Sequence, residues 1–211
     1  MKTPLIIAVD GPAAAGKGTL ARRLAAHLGL PHLDTGLLYR ATARRVLDAG
    51  GDPASAQDAA KAARELRPQN LDRADLRGTP VDEAASVVAA IPAVREALLQ
   101  FQRRFGQAHG AVLDGRDIGT IVFPDAAVKL FVTASPEERA RRRHLEMAAR
   151  GAAPPLTEVV AEMAARDTRD AMREAAPLRP AEDAVTLDTS LLDAEAVFLA
   201  ALRILETRRV Q

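Results

Sequence analysis

The residues best able to do chemistry lie near the start of the chain. Directly after the apolar run Leu5-Ile6-Ile7-Ala8-Val9 and Asp10 comes Gly11-Pro12-Ala13-Ala14-Ala15-Gly16-Lys17-Gly18-Thr19. The spacing is G-x-x-x-x-G-K, with Gly18 before the hydroxyl residue instead of an immediate Ser or Thr. Glycines let such a loop curl so that successive N–H groups point inward at an anion. The helix that follows adds its positive N-terminal end. Lys17 then reaches the outer phosphates of a nucleoside triphosphate. Thr19 is placed to meet phosphate, which leaves magnesium to phosphate oxygens, waters and a carboxylate elsewhere. A chance glycine-rich turn is the competing reading, but strand, loop and helix occur in the required order.

A bound triphosphate does not name a reaction. A GTPase switch needs an N-K-x-D motif, and the single asparagine, Asn70, has the wrong neighbours. No apolar strand ends in Asp-Glu, as in motor-type ATPases. What remains is a phosphotransferase with a small second substrate.

Three further clusters could serve one. Asp34-Thr35-Gly36-Leu37-Leu38-Tyr39-Arg40 places Thr35 and Arg40 near a helix start, where an anion is favoured. Helix capping by Thr35 and a solvated Arg40 are the plainer alternatives. Ala111-Val112-Leu113-Asp114-Gly115-Arg116-Asp117-Ile118-Gly119-Thr120 delivers Asp-Gly-Arg-Asp at the carboxyl end of a strand. There Asp114 could order magnesium through water, Arg116 clamp a phosphate, and Asp117 accept from a base or sugar. A local Arg–Asp ion pair is the structural alternative. In Arg166-Asp167-Thr168-Arg169-Asp170-Ala171-Met172-Arg173, the residues Arg166, Arg169, Asp170 and Arg173 fall at offsets of three and four and share a helix face. Guanidiniums there could surround a transferring phosphoryl group, with one carboxylate for a ribose hydroxyl. Arg139, Arg141, Arg142 and Arg143 read as a solvated set. His27, His32, His109 and His144 show no metal spacing and receive no role.

The elements that must position these residues alternate. Strands are expected at Leu5–Val9, at Leu33, at Ala111–Leu113, Ala127–Val132 and Val185–Leu187. Helices are expected at Lys17–Leu28, Leu37–Ala49, Ala54–Leu66, Ala84–Phe105 with a break at Pro92, Pro136–Arg150, Thr157–Arg173 and Ala194–Arg208. Residues 68–80 read as a loop or a stunted sheet, and 151–155 as a flexible break. The alternation predicts an α/β fold with a parallel sheet, whose ligands sit at the carboxyl ends of the strands.

Composition narrows the class. The 211 residues are 48% hydrophobic and 27% charged, which suits one folded core and excludes wholesale disorder. Basic and acidic residues number 29 and 28, for a formal net charge of +1, so a dedicated nucleic-acid binder is disfavoured. Lysine occurs only at positions 2, 17, 61 and 129; the rest of the basic residues are arginine. Cysteine is absent, which excludes disulfides, cysteine zinc sites and thiol catalysis. The N-terminal apolar run is too short for a signal peptide or a membrane span.

The motifs together resemble the bacterial cytidylate kinases, a branch of the nucleoside monophosphate kinases. The resemblance runs from Ile7-Ala8-Val9-Asp10-Gly11-Pro12 to Leu187-Asp188-Thr189. It rests on G-K-G-T in the loop, on D-[ST]-G-x-x-Y-R at Asp34–Arg40, and on Ala85-Ser86 with Pro92-Ala93-Val94-Arg95. Asp114–Thr120 and the run from Arg166 to Ala176-Pro177-Leu178 complete it. An adenylate kinase would show D-G-F-P-R where this chain has Asp-Gly-Arg-Asp.

The resemblance implies a P-loop three-layer sandwich over residues 1–211, a monophosphate-binding lobe at 52–107 and a lid at 150–156. It implies transfer of the γ-phosphoryl group of Mg–ATP to CMP or dCMP. Residues 11–19 would hold ATP. Ser86, Arg95 and Asp117 match the positions that recognise cytosine, and Arg166 and Asp170 those at the sugar. Thr35, Arg40, Arg116 and Arg173 match positions around the acceptor phosphate or transferring group. Lys17, Arg116, Arg169 and Arg173 would be catalytic. The expected protein is a cytoplasmic monomer acting on small molecules, without nucleic acid or membrane. Two rivals stand beside it: a kinase of another small acceptor such as UMP or shikimate, and a non-catalytic nucleotide sensor. The chain departs from the family in Ala13-Ala14-Ala15, where Ser-Gly-Ala is common, in Thr35 for a frequent Ser, and in a short insert between Pro68 and Ala84.

Overall fold

A computed structural model describes residues 4–151 and 154–209, and the backbone alone at Thr79 and Arg209. Five strands form one sheet: β1 (Ile6–Asp10), β2 (His32–Asp34), β3 (Ala111–Gly115), β4 (Val128–Thr133) and β5 (Val185–Asp188), in the order β2-β3-β1-β4-β5. The β1–β3, β1–β4 and β4–β5 pairs are parallel. Strands β1 and β3 are buried along their whole length, as central strands covered on both faces must be. Each nevertheless contains one aspartate near its carboxyl end, Asp10 and Asp114, and both are buried.

The helices are α1 (Lys17–Leu28), α2 (Thr35–Asp48), α3 (Ala56–Arg64), α4 (Thr79–Val88), α5 (Pro92–His109), α6 (Pro136–Ala148), α7 (Leu156–Ala171) and α8 (Ala194–Arg209). Helix α1 occupies the predicted residues. Leu20 and Leu24 turn its apolar stripe onto the sheet, and Gly29 ends it at φ 64°, its N–H bonding back to the Ala25 and Ala26 carbonyls. Ile7, Val9, Val112, Leu130 and Val132 meet α1 and α8 in one core. Ile6 faces the other way, where Gly106 of α5 lies so close that a Cβ would stand 2.9 Å from its Cδ1.

The chain divides into two compact units, residues 1–33 with 105–211, and residues 34–104. The first contains all of the sheet except the last residue of β2. The second is helical. Its segment 68–80, expected to be a loop or stunted sheet, holds a short 3₁₀ turn at Pro68–Asp72 and then the start of α4; no strand forms among its described residues beyond Asp34. The break expected at Pro92 is present, and α4 and α5 meet there at 94°. Pro92 lacks the N–H that would continue α4. Helix α7 ends at Ala171, two residues short of the expected Arg173. Among the described residues, no single helix is long and apolar enough to cross a membrane.

Candidate active site

In the first unit, the loop between β1 and α1 is shaped by its backbone. Gly11 has φ 144°, and a Cβ there would stand 1.9 Å from the Val132 carbonyl oxygen, so the loop leaves β1 pressed against β4. Gly16, at φ 92°, precedes the first helical residue, Lys17. Ala14 is left-handed at φ 57°, at the position where glycine is common in the resembled family. That conformation costs an L-residue about 1–2 kcal/mol.

Partners from elsewhere hold the loop. Arg142 donates to Thr189 Oγ1 at 2.9 Å and to its carbonyl at 2.7 Å, and the Thr189 hydroxyl lies 3.1 Å from the Ala15 carbonyl. Arg139, expected among solvated arginines, is buried. Its guanidinium grips Asp167 of α7 with two bonds, at 3.1 and 2.6 Å, and donates to the Ala13 carbonyl at 3.4 Å. It ties α6, α7 and the phosphate loop together.

Lys17 is 6% exposed, and its Nζ donates to the Pro12 carbonyl at 2.7 Å. Burial first, then the Arg116 and Arg166 cations, push its pKa well down against the pull of Asp114 and Asp10. A polyphosphate bound there would offset the two guanidiniums and favour the charged form of Lys17.

Asp114 sits with one carboxylate oxygen 2.6 Å from His32 Nε2. Its other oxygen points toward the phosphate loop, 3.7 Å from where a Cβ on Gly18 would stand. No local spacing singles out His32, because its partner is 82 residues away.

Arg116 and Arg173 close on Asp170 from two sides. Arg116 Nε donates to Asp170 Oδ2 at 2.8 Å, and Arg173 Nη2 donates to Oδ1. Asp170 is 3% exposed. Burial raises its pKa, but the Arg116 and Arg173 cations outweigh burial and bring it to about 2. Arg166 adds to that field. Arg169 is exposed, with Nε 3.4 Å from the Ala165 carbonyl of its own helix. The structure brings Arg116, Asp170 and Arg173 together and leaves Arg169 outside the group.

After Arg116 and Asp117 the chain makes one wide helical turn, Ile118–Val122, with Val122 N–H and Phe123 N–H bonding five residues back to Asp117 and Ile118. Nothing in the sequence reading anticipated it. Asp117 is buried at its start.

In the second unit, Asp34 occupies the cap position of α2, so Thr35 is the first helical residue rather than the cap. Thr35 is buried. Arg40 Nε donates to Asp82 Oδ1 at 2.7 Å, where both side chains are largely buried. Gly36 leaves room for this: a Cβ there would lie 3.1 Å from Arg40 Nη1 and 3.0 Å from Asp34 Oδ1. Ser86 on α4 is buried, and its Oγ has no hydrogen-bond partner. A buried unpaired hydroxyl costs about 1–3 kcal/mol, which a ligand's polar atom would recover. Arg95 on α5 donates to the Ala89 carbonyl at 3.2 Å and lies 5.6 Å from the centre of the Tyr39 ring.

The sequence model of the cytidylate kinase family, described as "Cytidylate kinase", matches residues 7–207. The chain belongs to the cytidylate kinase family. It is 65% identical to the cytidylate kinase of Granulibacter bethesdensis, over 97% of this chain and 98% of that one. It is 64% identical to the cytidylate kinase of Acidiphilium cryptum, over 95% of each. Among solved structures, a gluconokinase from Sinorhizobium meliloti superposes with a TM-score of 0.52 at 14% identity, covering 98% of this chain and 94% of that one. A shikimate kinase from Bacteroides thetaiotaomicron gives 0.51 at 12% identity, covering 96% and 97%. These two share the kinase fold with the cytidylate kinase family member described above. The family explains Gly18 and Thr19, and it explains why Asp-Gly-Arg-Asp stands at the end of β3.

Proposed function

We propose that the protein transfers the γ-phosphoryl group of ATP to CMP or dCMP, giving ADP and CDP or dCDP. Besides family membership, one observation carries this reading: buried Lys17 after β1 lies in the field of two half-buried guanidiniums, Arg116 after β3 and Arg166 on α7. Such a group suits the charge of a transferring phosphoryl and no neutral substrate.

The acceptor is an already ionised phosphate oxygen, so the reaction needs no strong general base. Catalysis is positioning and charge stabilisation. Residues 11–19 bind the donor phosphates through the backbone N–H groups that all but Pro12 carry, and Lys17 moves from the Pro12 carbonyl onto a phosphate oxygen. Arg116 and Arg173 exchange Asp170 for the acceptor phosphate, which leaves Asp170 to a sugar hydroxyl. Ser86, Arg95 and Asp117 read the cytosine, Arg166 supports the sugar, and Thr35 and Arg40 hold the acceptor phosphate. Arg169 would swing its guanidinium from the Ala165 carbonyl onto the transferring group.

Magnesium fits the donors present. Asp114 turns one oxygen toward the phosphate loop, and Mg²⁺ characteristically takes one or two carboxylates with waters and substrate phosphates. Asp114 would hold it through water, beside Gly18 of the phosphate loop. When bound it neutralises charge on the phosphates.

The monophosphate-binding lobe assigned to 52–107 falls largely within the second compact unit. Residues 152 and 153 of the lid assigned to 150–156 lie outside the described residues. Closure of that lid would expel water from the reaction. The reading includes a monomer acting in the cytoplasm, where both nucleotides are found; light scattering tests the former.

The deciding experiment is ADP release from Mg–ATP against CMP, dCMP, UMP, AMP, GMP and shikimate in parallel. Turnover confined to CMP and dCMP is expected. Turnover with another acceptor overturns the base-reading assignment, and ATP binding without any turnover favours a nucleotide sensor.

A further inference from the structure

Asp10 is the last residue of β1, paired in register with Gly115 at the end of β3. The residue is 5% exposed, and its carboxylate accepts two hydrogen bonds from backbone N–H groups more than a hundred residues away. Ile118 N–H donates to Oδ1 at 2.8 Å and Gly119 N–H to Oδ2 at 2.7 Å. These are the first two N–H groups of the 118–122 turn, the ones that have no partner inside a helical turn.

Ordinarily the residue at the cap position satisfies them. That residue here is Asp117, among the best capping types, and its side chain makes no capping bond. Asp10 has taken over the task from the neighbouring strand. An isolated capping requirement could be met locally at far lower cost. Burial pushes the Asp10 carboxyl up to about 7 despite the two N–H bonds, and the nearby Asp117 charge adds to the rise. The fold tolerates a buried carboxylate that a local cap would have made unnecessary.

We propose that Asp10 is a positioning residue for base recognition: by capping the 118–122 turn from β1, it keeps the Asp117 carboxylate from capping its own turn and holds it for the CMP base. The inference rests on the CMP reading above. Its prediction is selective. In Asp10→Asn, the amide can accept from one N–H but turns an NH₂ toward the other. Asp117 then swings onto its own turn, as a cap-position aspartate normally does. The substitution also removes a charge that acts on Lys17, an effect present with or without Asp117 and therefore cancelled in a double-mutant cycle.

The test is a double-mutant cycle read as KM for each nucleotide. Asp10→Asn is expected to raise KM for CMP about tenfold and to leave KM for ATP within about twofold. In an Asp117→Ala background, where no carboxylate remains to swing, the same substitution should shift KM for CMP less than about twofold. An equal shift for ATP and CMP, or an undiminished CMP shift in the Asp117→Ala background, overturns the proposal. If Asp10→Asn does not fold, Gly119→Ala perturbs the same contact from the other side, since its Cβ would stand 3.4 Å from Asp10 Oδ2 and 3.1 Å from Lys129 Cδ. The same cycle and the same two outcomes then apply. Wild-type turnover with CMP is measured alongside; its absence sinks the CMP reading, whereas its presence with an unselective Asp10 effect sinks only this inference.

Discussion

Asp170→Asn isolates what the Arg116–Asp170–Arg173 cluster contributes to folding. The carboxylate is nearly inaccessible, and both of its oxygens accept from guanidiniums. The amide keeps the shape, but it loses the charge and one of the two acceptors. The magnitude follows from the proton affinity. Held at about 2 instead of 3.8, the carboxyl favours the folded state by about 2 kcal/mol at neutral pH, at about 1.4 kcal/mol per tenfold change in affinity. Because the folded value is the lower one, this stabilisation is complete above about pH 5 and is lost as pH falls through 3.8 toward 2. Thermal and urea unfolding of the ligand-free protein, at steps from pH 7 to pH 2.5, should show the variant less stable at pH 7 by about 2 kcal/mol, or about 4–8 °C in Tm. The gap should narrow to about a third of its size at pH 2.5. A variant as stable as wild type at pH 7, or a gap as large at pH 2.5 as at pH 7, would show that the arginines do not hold Asp170 as described.

Other consequences can be checked separately. Lys17→Met should lower turnover by about 10²–10³-fold, the size of losing one donor aimed at transition-state charge, and near-normal turnover would remove Lys17 from the mechanism. Arg139→Met keeps the packing but strips Asp167 and the Ala13 carbonyl of their donor; a fall of about 2 kcal/mol in urea unfolding is expected, since Asp167 remains partly hydrated. ATP binding should take up protons above the lowered pKa of Lys17, because phosphate restores the ammonium. Calorimetry in buffers of differing ionisation enthalpy reads this directly, and binding heats independent of the buffer would contradict it.

The sequence was most legible where information is local. Helix α1, its Gly29 stop and the Pro92 break follow from spacing and from the backbone chemistry of glycine and proline. The phosphate loop follows from a contiguous motif. What escaped notice depends on distant pairs. Arg139 sits in a run of arginines that look alike along the chain; only Asp167 and Ala13, brought close by folding, single it out. His32 and Asp114 meet across two strands, and Asp10 meets Ile118 and Gly119 in the same way. A periodicity of three and four puts Arg169 on the face of Arg166, Asp170 and Arg173; α7 stops at Ala171, so Arg173 reaches Asp170 from beyond the helix, while Arg169 bonds the Ala165 carbonyl of its own helix. Ser86 and Arg95 are singled out only through resemblance, since no spacing rule selects them, whereas Thr35 and Arg40 also stand near a helix start.

Ala14 bears on how the loop meets its ligand. A glycine at that position would wander over both halves of the backbone map before nucleotide arrived, and binding would have to arrest it. Alanine has fewer conformations to lose, and the one it occupies is already the left-handed bend the loop requires. Its strain is borne once, at folding, by a domain that brackets the bend with Arg139 on Ala13 and Thr189 on Ala15. Nucleotide capture is thereby relieved of an ordering cost. The triplet of alanines exchanges some fold stability for a receptor that is rigid before its guest appears.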